Sequence, residues 1–420
     1  MRKEGSLNLL AIAHGLWFGG AWIATLEFFE FFKDVLNLKV MLCSSSSTLF
    51  TKPLKLMGVD YRTVPCEEKL HFPDMLVSQQ DSLVKWADAV WITDVEYLVA
   101  PRVKAAKNVP VLAHLHSYSL ICPTWTLYRG MKAICLEKCS AGRAIRCAGE
   151  LGIELAKLGA TSSWRGIYPH ISSLLKKPSS LDLFRHKQAL REAVSCIDGF
   201  IAVSSFVKLA HTKLLEVGDK PISVVHNLVT YPMKYAEGRD CEKTRADVVD
   251  VIYAAGPDPF KGPHLALDSL KALAESGLSV KMKMFGCKDT WVERYARRIG
   301  ISRSVEFRGK ASFAELYSAM QCTDVVIVPS LWPEPFGRVP VEANRLGTPA
   351  VVTNRGGLPE VVAESVTGYI SKPVAENLAE GIRDSLKRKP KREEVVSKSL
   401  ERVNPRDNAR RFLELIYSLA

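Results

Sequence analysis

The stretch that most restricts the fold of this chain is residues 326–362, VIVPSLWPEPFGRVPVEANRLGTPAVVTNRGGLPEVV. Val326–Val328 and Ala350–Thr353 are short β-branched runs without polar alternation, the pattern of strands buried on both faces. Between them lie a polar loop over Pro329–Phe336 and a helical run over Arg338–Leu346, which Gly347 stops. A strand–helix–strand order of this length closes a crossover, so the two strands should run parallel with their carboxyl ends on one rim. A Gly-Gly loop then opens a further helix. Two acids fall on that rim, Glu334 in the loop and Glu342 in the first turns of the helix.

Phe336, Gly337 and Arg338 open a helix whose first N–H groups have no intrahelical partner, a terminus that attracts phosphate. Gly337 lets the backbone come close, and Arg338 adds a fork of donors. Glu342 then points from the same helix to where paired ribose hydroxyls would lie, with Glu334 on the sugar side. Taken alone, two acids at this spacing read more readily as a cap and a surface acid. Their setting between PS and GGLPE reverses that balance.

The segment resembles the signature of glycosyltransferase family 4, retaining enzymes of the GT-B fold, and the resemblance covers nearly the whole chain. It implies an α/β fold: two Rossmann-like, doubly wound parallel-sheet domains facing a central cleft. It also implies that Glu334 meets the donor sugar, that Phe336, Gly337, Arg338 and Val339 meet the diphosphate side, and that Glu342 meets the ribose. The donor would be a nucleotide-sugar, a UDP- or GDP-linked hexose, with no further cofactor. The acceptor would be a glycan or a polyprenyl-linked molecule.

With 420 residues, the chain is long enough for two domains of about 200. We expect an acceptor domain over 1–229, a charged, glycine-bearing linker over 230–248 and a nucleotide-sugar domain over 249–403. A terminal amphipathic helix over 404–420 resembles one that crosses back onto the first domain. The net charge of +12 is spread over both halves and suits anionic substrates or peripheral contact with an anionic membrane. No nucleic-acid motif accompanies it. Ten cysteines without a secreted-domain pattern suggest a reduced, cytoplasmic setting, at or away from the inner membrane surface. Leu7–Leu26 carries no Asp, Lys or Arg and is long enough to span a bilayer, but Asn8, His14 and three glycines argue for a strand, a loop and an aromatic helix. That helix could lay part of its face on a membrane.

Other motifs fall at strand ends. Gly19-Gly20 precede the aromatic helix and resemble the family's donor or acceptor loop, with Trp22 where the family commonly has Glu. PVLAHLH ends at His116, which by resemblance lies beside the transferred sugar, with Ser117 in place of the usual Asp. His114 shares a face with His116 and reads as a satisfied buried histidine. After the strand Val249–Ala255, Lys261 matches the family's diphosphate-binding Lys. The companion Arg is absent from Ala255–Asp258, and Arg338 is the candidate substitute. Gly309 and Lys310, in FRGKAS, border the nucleotide base by resemblance, and Glu360 completes the nucleotide rim. Cys122, Cys135, Cys139 and Cys147 leave two readings open, a zinc or iron–sulfur site and free thiols, since paired C-x2-C is missing. A basic stretch with Trp164, Arg165, Tyr168, Lys176, Lys177, Arg185 and Lys187 is a candidate acceptor surface. The chain contains no D-x-D, which fits metal-independent transfer, and the resemblance implies retention. The alternative is a catalytically impaired nucleotide-sugar-binding protein of the same fold.

Overall fold

The computed structural model describes residues 7–14, 19–43, 48–64, 81–94, 96–160, 180–215, 217–235 and 247–420. The first sheet contains β1 (Asn8–His14), β2 (Asn37–Cys43), β3 (Asp60–Val64), β4 (Ala89–Ile92) and β5 (Val111–Leu115). A small hairpin follows, β6 (Tyr128–Arg129) and β7 (Ala133–Ile134), and then β8 (Gly199–Ala202) and β9 (Ile222–Val224) return to that sheet. The second sheet contains β10 (Val249–Tyr253), β11 (Val280–Met284), β12 (Val305–Phe307), β13 (Val325–Val328), β14 (Ala350–Thr353) and β15 (Gly368–Ser371).

The orders are β3-β2-β1-β4-β5-β8-β9 and β12-β11-β10-β13-β14-β15, and every pairing within these two sheets is parallel. Central strands such as β4, AVWI, and β13, VVIV, are buried at every residue because helices cover both faces. In each sheet the order reverses beside the first strand, between β1 and β4 and between β10 and β13. A doubly wound sheet opens its ligand crevice at that switch point, beyond the carboxyl ends of the strands. The loops after β10 and β13 are therefore placed to build a site.

The aromatic helix runs from Gly20 to Phe32. Its rings are core: Phe412 of the last helix, Pro405–Leu419, lies 5.1 Å from Phe28, 4.8 Å from Phe32 and 4.8 Å from Trp91, centroid to centroid. Phe31 alone of the helix's four phenylalanines is exposed. The apolar run 7–26 is thus divided between a strand and a helix. Among the described residues, no helix is long and apolar enough to cross a membrane. Against the expectation of uniformly reduced cysteines, Cys43 and Cys322 are each engaged in a disulfide. Most of the expected linker, and Trp164, Arg165, Tyr168, Lys176 and Lys177, lie outside the described residues, as do the side chains of Arg185 and Lys187.

Glycine is required where the second domain's first loop meets β13. Gly262 has φ +70, and a Cβ there would stand 2.1 Å from the Pro329 carbonyl oxygen. Gly277 also has positive φ, +88, but faces open space. Gly262→Ala should therefore lower unfolding free energy by at least about 2 kcal/mol, and Gly277→Ala by only about 1 kcal/mol. Urea denaturation of the two variants checks this contrast, and equal losses would contradict it.

Candidate functional site

After β10 the chain makes a short 3-10 turn, Pro259–Lys261, capped by Asp258, whose Oδ1 accepts from Phe260 N at 2.9 Å. Burial pushes the Asp258 carboxyl above its ordinary range. The turn delivers Lys261 to the rim. Its Nζ lies 2.6 Å from Glu334 Oε1, which also accepts from Ser330 Oγ at 2.6 Å. The same ammonium sits 4.8 Å from the centre of the Trp332 ring. The Glu334 backbone is locked to the next loop: Gly357 N donates to Glu334 O at 2.7 Å, and Gly356 bridges to Glu334. Only glycine fits at 356, where φ is +59 and a Cβ would stand 2.2 Å from Glu334 O.

The Arg338–Arg345 helix opens at Gly337, whose φ of +100 and near contact with Leu358 exclude a side chain. Pro340 has no N–H, so the first turn offers fewer free amides than the helix start alone suggests. Arg338 is spent on acids. Its Nη1 donates to Glu27 Oε2 at 2.6 Å, its Nη2 to Glu27 Oε1 at 3.3 Å and its Nε to Glu342 Oε1 at 3.2 Å. All three side chains are buried, at 8% exposure for Arg338, 0% for Glu27 and 7% for Glu342. Burial opposes the guanidinium charge, and the two carboxylates more than offset it, raising the Arg338 pKa. Burial raises that of Glu342, which shares its one cation with Glu27. The Arg338 stem also covers Gly20, where a Cβ would lie 3.2 Å from its Cδ.

Glu27 is the residue that sequence reasoning missed. It also accepts from the backbone N–H groups of Val229, Thr230 and Tyr231 at 3.2, 2.7 and 3.0 Å, where the chain leaves the first sheet. One visible signal was an acid set inside the aromatic run LEFF. Further contacts cross the cleft. Tyr118 Oη donates to Pro333 O at 2.9 Å. Glu360 accepts from Ser205 N at 2.7 Å and Phe206 N at 2.9 Å, capping the Ser205–Leu214 helix of the first domain. That is its observed role, rather than an open place on the nucleotide rim.

His116 stands at the end of β5, buried, with no hydrogen-bond partner at Nε2. Burial and then the positive charge of Arg338 push its pKa down to about 3. His114 is not the satisfied histidine the sequence suggested: neither ring nitrogen has a partner, and its ring lies 3.9 Å from that of His116. Phe336 is buried against His226, centroids 5.5 Å apart, and Val339 is half-buried. Gly19 and Gly20 are exposed at the mouth of the first helix. Gly309 O accepts from Gly286 N at 3.0 Å, while Lys310 is exposed. Cys122, Cys135, Cys139 and Cys147 line one cavity of about 20 Å³, and none of the four is in a disulfide. Among the described residues, no group of three or more His, Cys, Asp or Glu side chains has metal-holding geometry.

Glu27→Gln would leave the Arg338 charge buried with one carboxylate and should cost about 3–5 kcal/mol of stability. Arg338→Met combined with Glu27→Gln should cost less than the two single changes summed, a coupling that a double-mutant cycle in urea measures. His116, neutral when folded, binds fewer protons than in the unfolded chain once pH falls below about 6.5. Its contribution is intact above that pH and declines toward its folded pKa of about 3. Between pH 7 and 5 this removes about 2 kcal/mol, so the stability of His116→Asn should fall less steeply over that range. An unchanged slope would contradict the buried neutral imidazole.

Residues 242–402 match the family described as Glycosyl transferases group 1. A glycogen synthase of Mycobacterium tuberculosis is 27% identical over 253 residues, 53% of this chain and 60% of that one. A D-inositol 3-phosphate glycosyltransferase of Corynebacterium urealyticum is 36% identical over 120 residues, 26% of this chain and 28% of that one. The chain thus spans less than two thirds of either relative. The solved structure of Anabaena HepE in complex with UDP and glucose matches at TM-score 0.67 and 18% identity, over 98% of this chain and 100% of that one. At that identity the likeness is one of fold. The resemblance to the group 1 glycosyltransferases is thus carried by residues 242–402, and the two parallel sheets form a GT-B fold.

Proposed function

We propose that this chain moves a hexose from a UDP- or GDP-linked donor to a glycan or polyprenyl-linked acceptor, without a metal ion and with retention. The observation that carries the reading is the Lys261–Glu334 contact of 2.6 Å at the switch point of the second sheet. Displacing a nucleoside diphosphate from an anomeric carbon moves negative charge onto the leaving phosphate and leaves oxocarbenium character on the sugar. A fixed ammonium beside the phosphate stabilises the first, and an oriented carboxylate positions the second. Lys261 and the amides at Gly337 and Arg338 would take the diphosphate, with Gly19 and Gly20 closing over it. Glu334 would hold sugar hydroxyls, Glu342 the ribose, and the backbone around Gly309 and Lys310 the base. His116 would present Nε2 to a sugar hydroxyl, as a neutral group throughout the working pH range.

The crystal of Anabaena HepE holds UDP and glucose, which supports a uridine nucleotide as the first donor to try. The net charge of +12 supports an anionic acceptor, at a membrane surface or free. A second reading, donor binding without turnover, is favoured by one feature: no Arg stands in Ala255–Asp258, and Arg338 is held by two carboxylates.

Release of UDP or GDP from a panel of sugar nucleotides, with and without polyprenyl phosphates, separates the two. Lys261→Ala and Glu334→Ala should each lower kcat by roughly a hundredfold or more while the protein stays folded. Tight nucleotide binding with no release over the whole panel would establish the second reading. Unchanged rates in both variants would remove the residue assignments.

A further inference from the structure

Two cations of the cleft already have acids. Lys261 pairs with Glu334, and Arg338 pairs with Glu27 and Glu342. Among the described residues, Arg355 has no such partner. It lies in the turn between β14 and the Leu358–Val361 helix, where its backbone is fixed at both ends: Arg355 N donates to Thr353 O at 2.8 Å, and Leu358 N donates to Arg355 O at 3.2 Å. The next residue, Gly356, bridges to Glu334, so Arg355 is anchored to the loop of the sugar-side acid. Its side chain is half-buried. Its Nε is fully buried with no hydrogen-bond partner, and among the described residues no carboxylate pairs with its guanidinium.

Its surroundings belong to the cleft. The guanidinium is close enough to the Tyr128 hydroxyl to counter, electrostatically, the rise that burial imposes on that phenol. Tyr128 stands on the β6–β7 hairpin of the first domain, with its ring edge-on to Phe260 at 6.2 Å, next to Lys261. Trp332, in the Glu334 loop, also keeps a buried Nε1 without a partner. A buried N–H left unpaired costs about 1–3 kcal/mol, and more on a charged group, unless a ligand satisfies it. A guanidinium is a planar fork that matches a carboxylate or a phosphate oxygen pair.

We propose that Arg355 is a specificity-determining residue, binding an anionic group of a substrate between the Glu334 loop and the Tyr128 hairpin. The anion is a carboxylate or phosphate, carried by the donor sugar or by the acceptor. The inference rests on the proposed sugar transfer and says which class of substrate that transfer takes.

Calorimetric titration of the full chain tests it in two arms, each with the parent, Arg355→Gln and Arg355→Lys. The donor arm compares UDP-glucuronate with UDP-glucose. The acceptor arm, on protein saturated with UDP, compares glucuronate and glucose 6-phosphate with glucose. In one arm the parent should favour the acidic ligand by about tenfold or more. Arg355→Gln should abolish the preference, Arg355→Lys should keep part of it, and UDP affinity should stay unchanged in both. Preference in the donor arm identifies a uronic donor, and preference in the acceptor arm an acidic acceptor. UDP binding with acid-to-neutral ratios that Arg355→Gln leaves at parental values overturns this inference alone. A parent that binds neither UDP nor UDP-sugars overturns the transfer reading and this inference with it.

Discussion

One buried ion cluster holds the two halves of this protein in register. Glu27 comes from the first helix of the N-terminal half, Arg338 and Glu342 from the Arg338–Arg345 helix of the C-terminal half. Removing three charged side chains from water is expensive, and only close multidentate geometry repays it. Glu27 supplies that geometry twice, to the guanidinium and to three successive N–H groups at the start of the connection between the sheets. The same carboxylate thus fixes how the connection begins and where the second domain's key helix lies.

Around that cluster the cleft is drawn closed by contacts of a different kind. Tyr118 reaches the Pro333 carbonyl, and Glu360 caps a helix of the opposite domain. Glycine makes this approach feasible: a Cβ at 357 would press on Pro335 O at 2.7 Å and on Ser204 Cβ at 2.9 Å. Between these struts lie groups whose hydrogen-bonding capacity is left over, His116 Nε2, Trp332 Nε1 and Arg355 Nε. Buried polar atoms in a folded protein are nearly always paired, which makes these exceptions candidates for contact with a ligand.

Much of this was legible beforehand, and the reasons differ by residue. The β13–helix–β14 unit was readable because β-branched runs, a glycine stop and a loop of fixed length leave few topologies. The strand-end positions of Lys261, His116 and Glu334 were readable because each falls past a buried strand, where α/β sheets open their crevice. His114 was misjudged because two neighbouring positions on one strand look alike in sequence, whereas only packing decides which ring finds a partner. Arg338 and Glu360 were placed by local spacing on the nucleotide side. Their observed partners sit 311 and about 155 positions away, beyond the reach of any local pattern.

The sequence by itself determined the two parallel sheets, the helix mouth at Gly337 and the acids that flank it, because period, punctuation and strand-end placement act within some tens of residues. The tertiary structure alone decided which charges neutralise one another. Coulomb attraction and desolvation depend on distance and burial after folding, not on separation along the chain. For that reason the assignment of Glu27 to Arg338, and the absence of an acid for Arg355 among the described residues, became visible only in the folded chain.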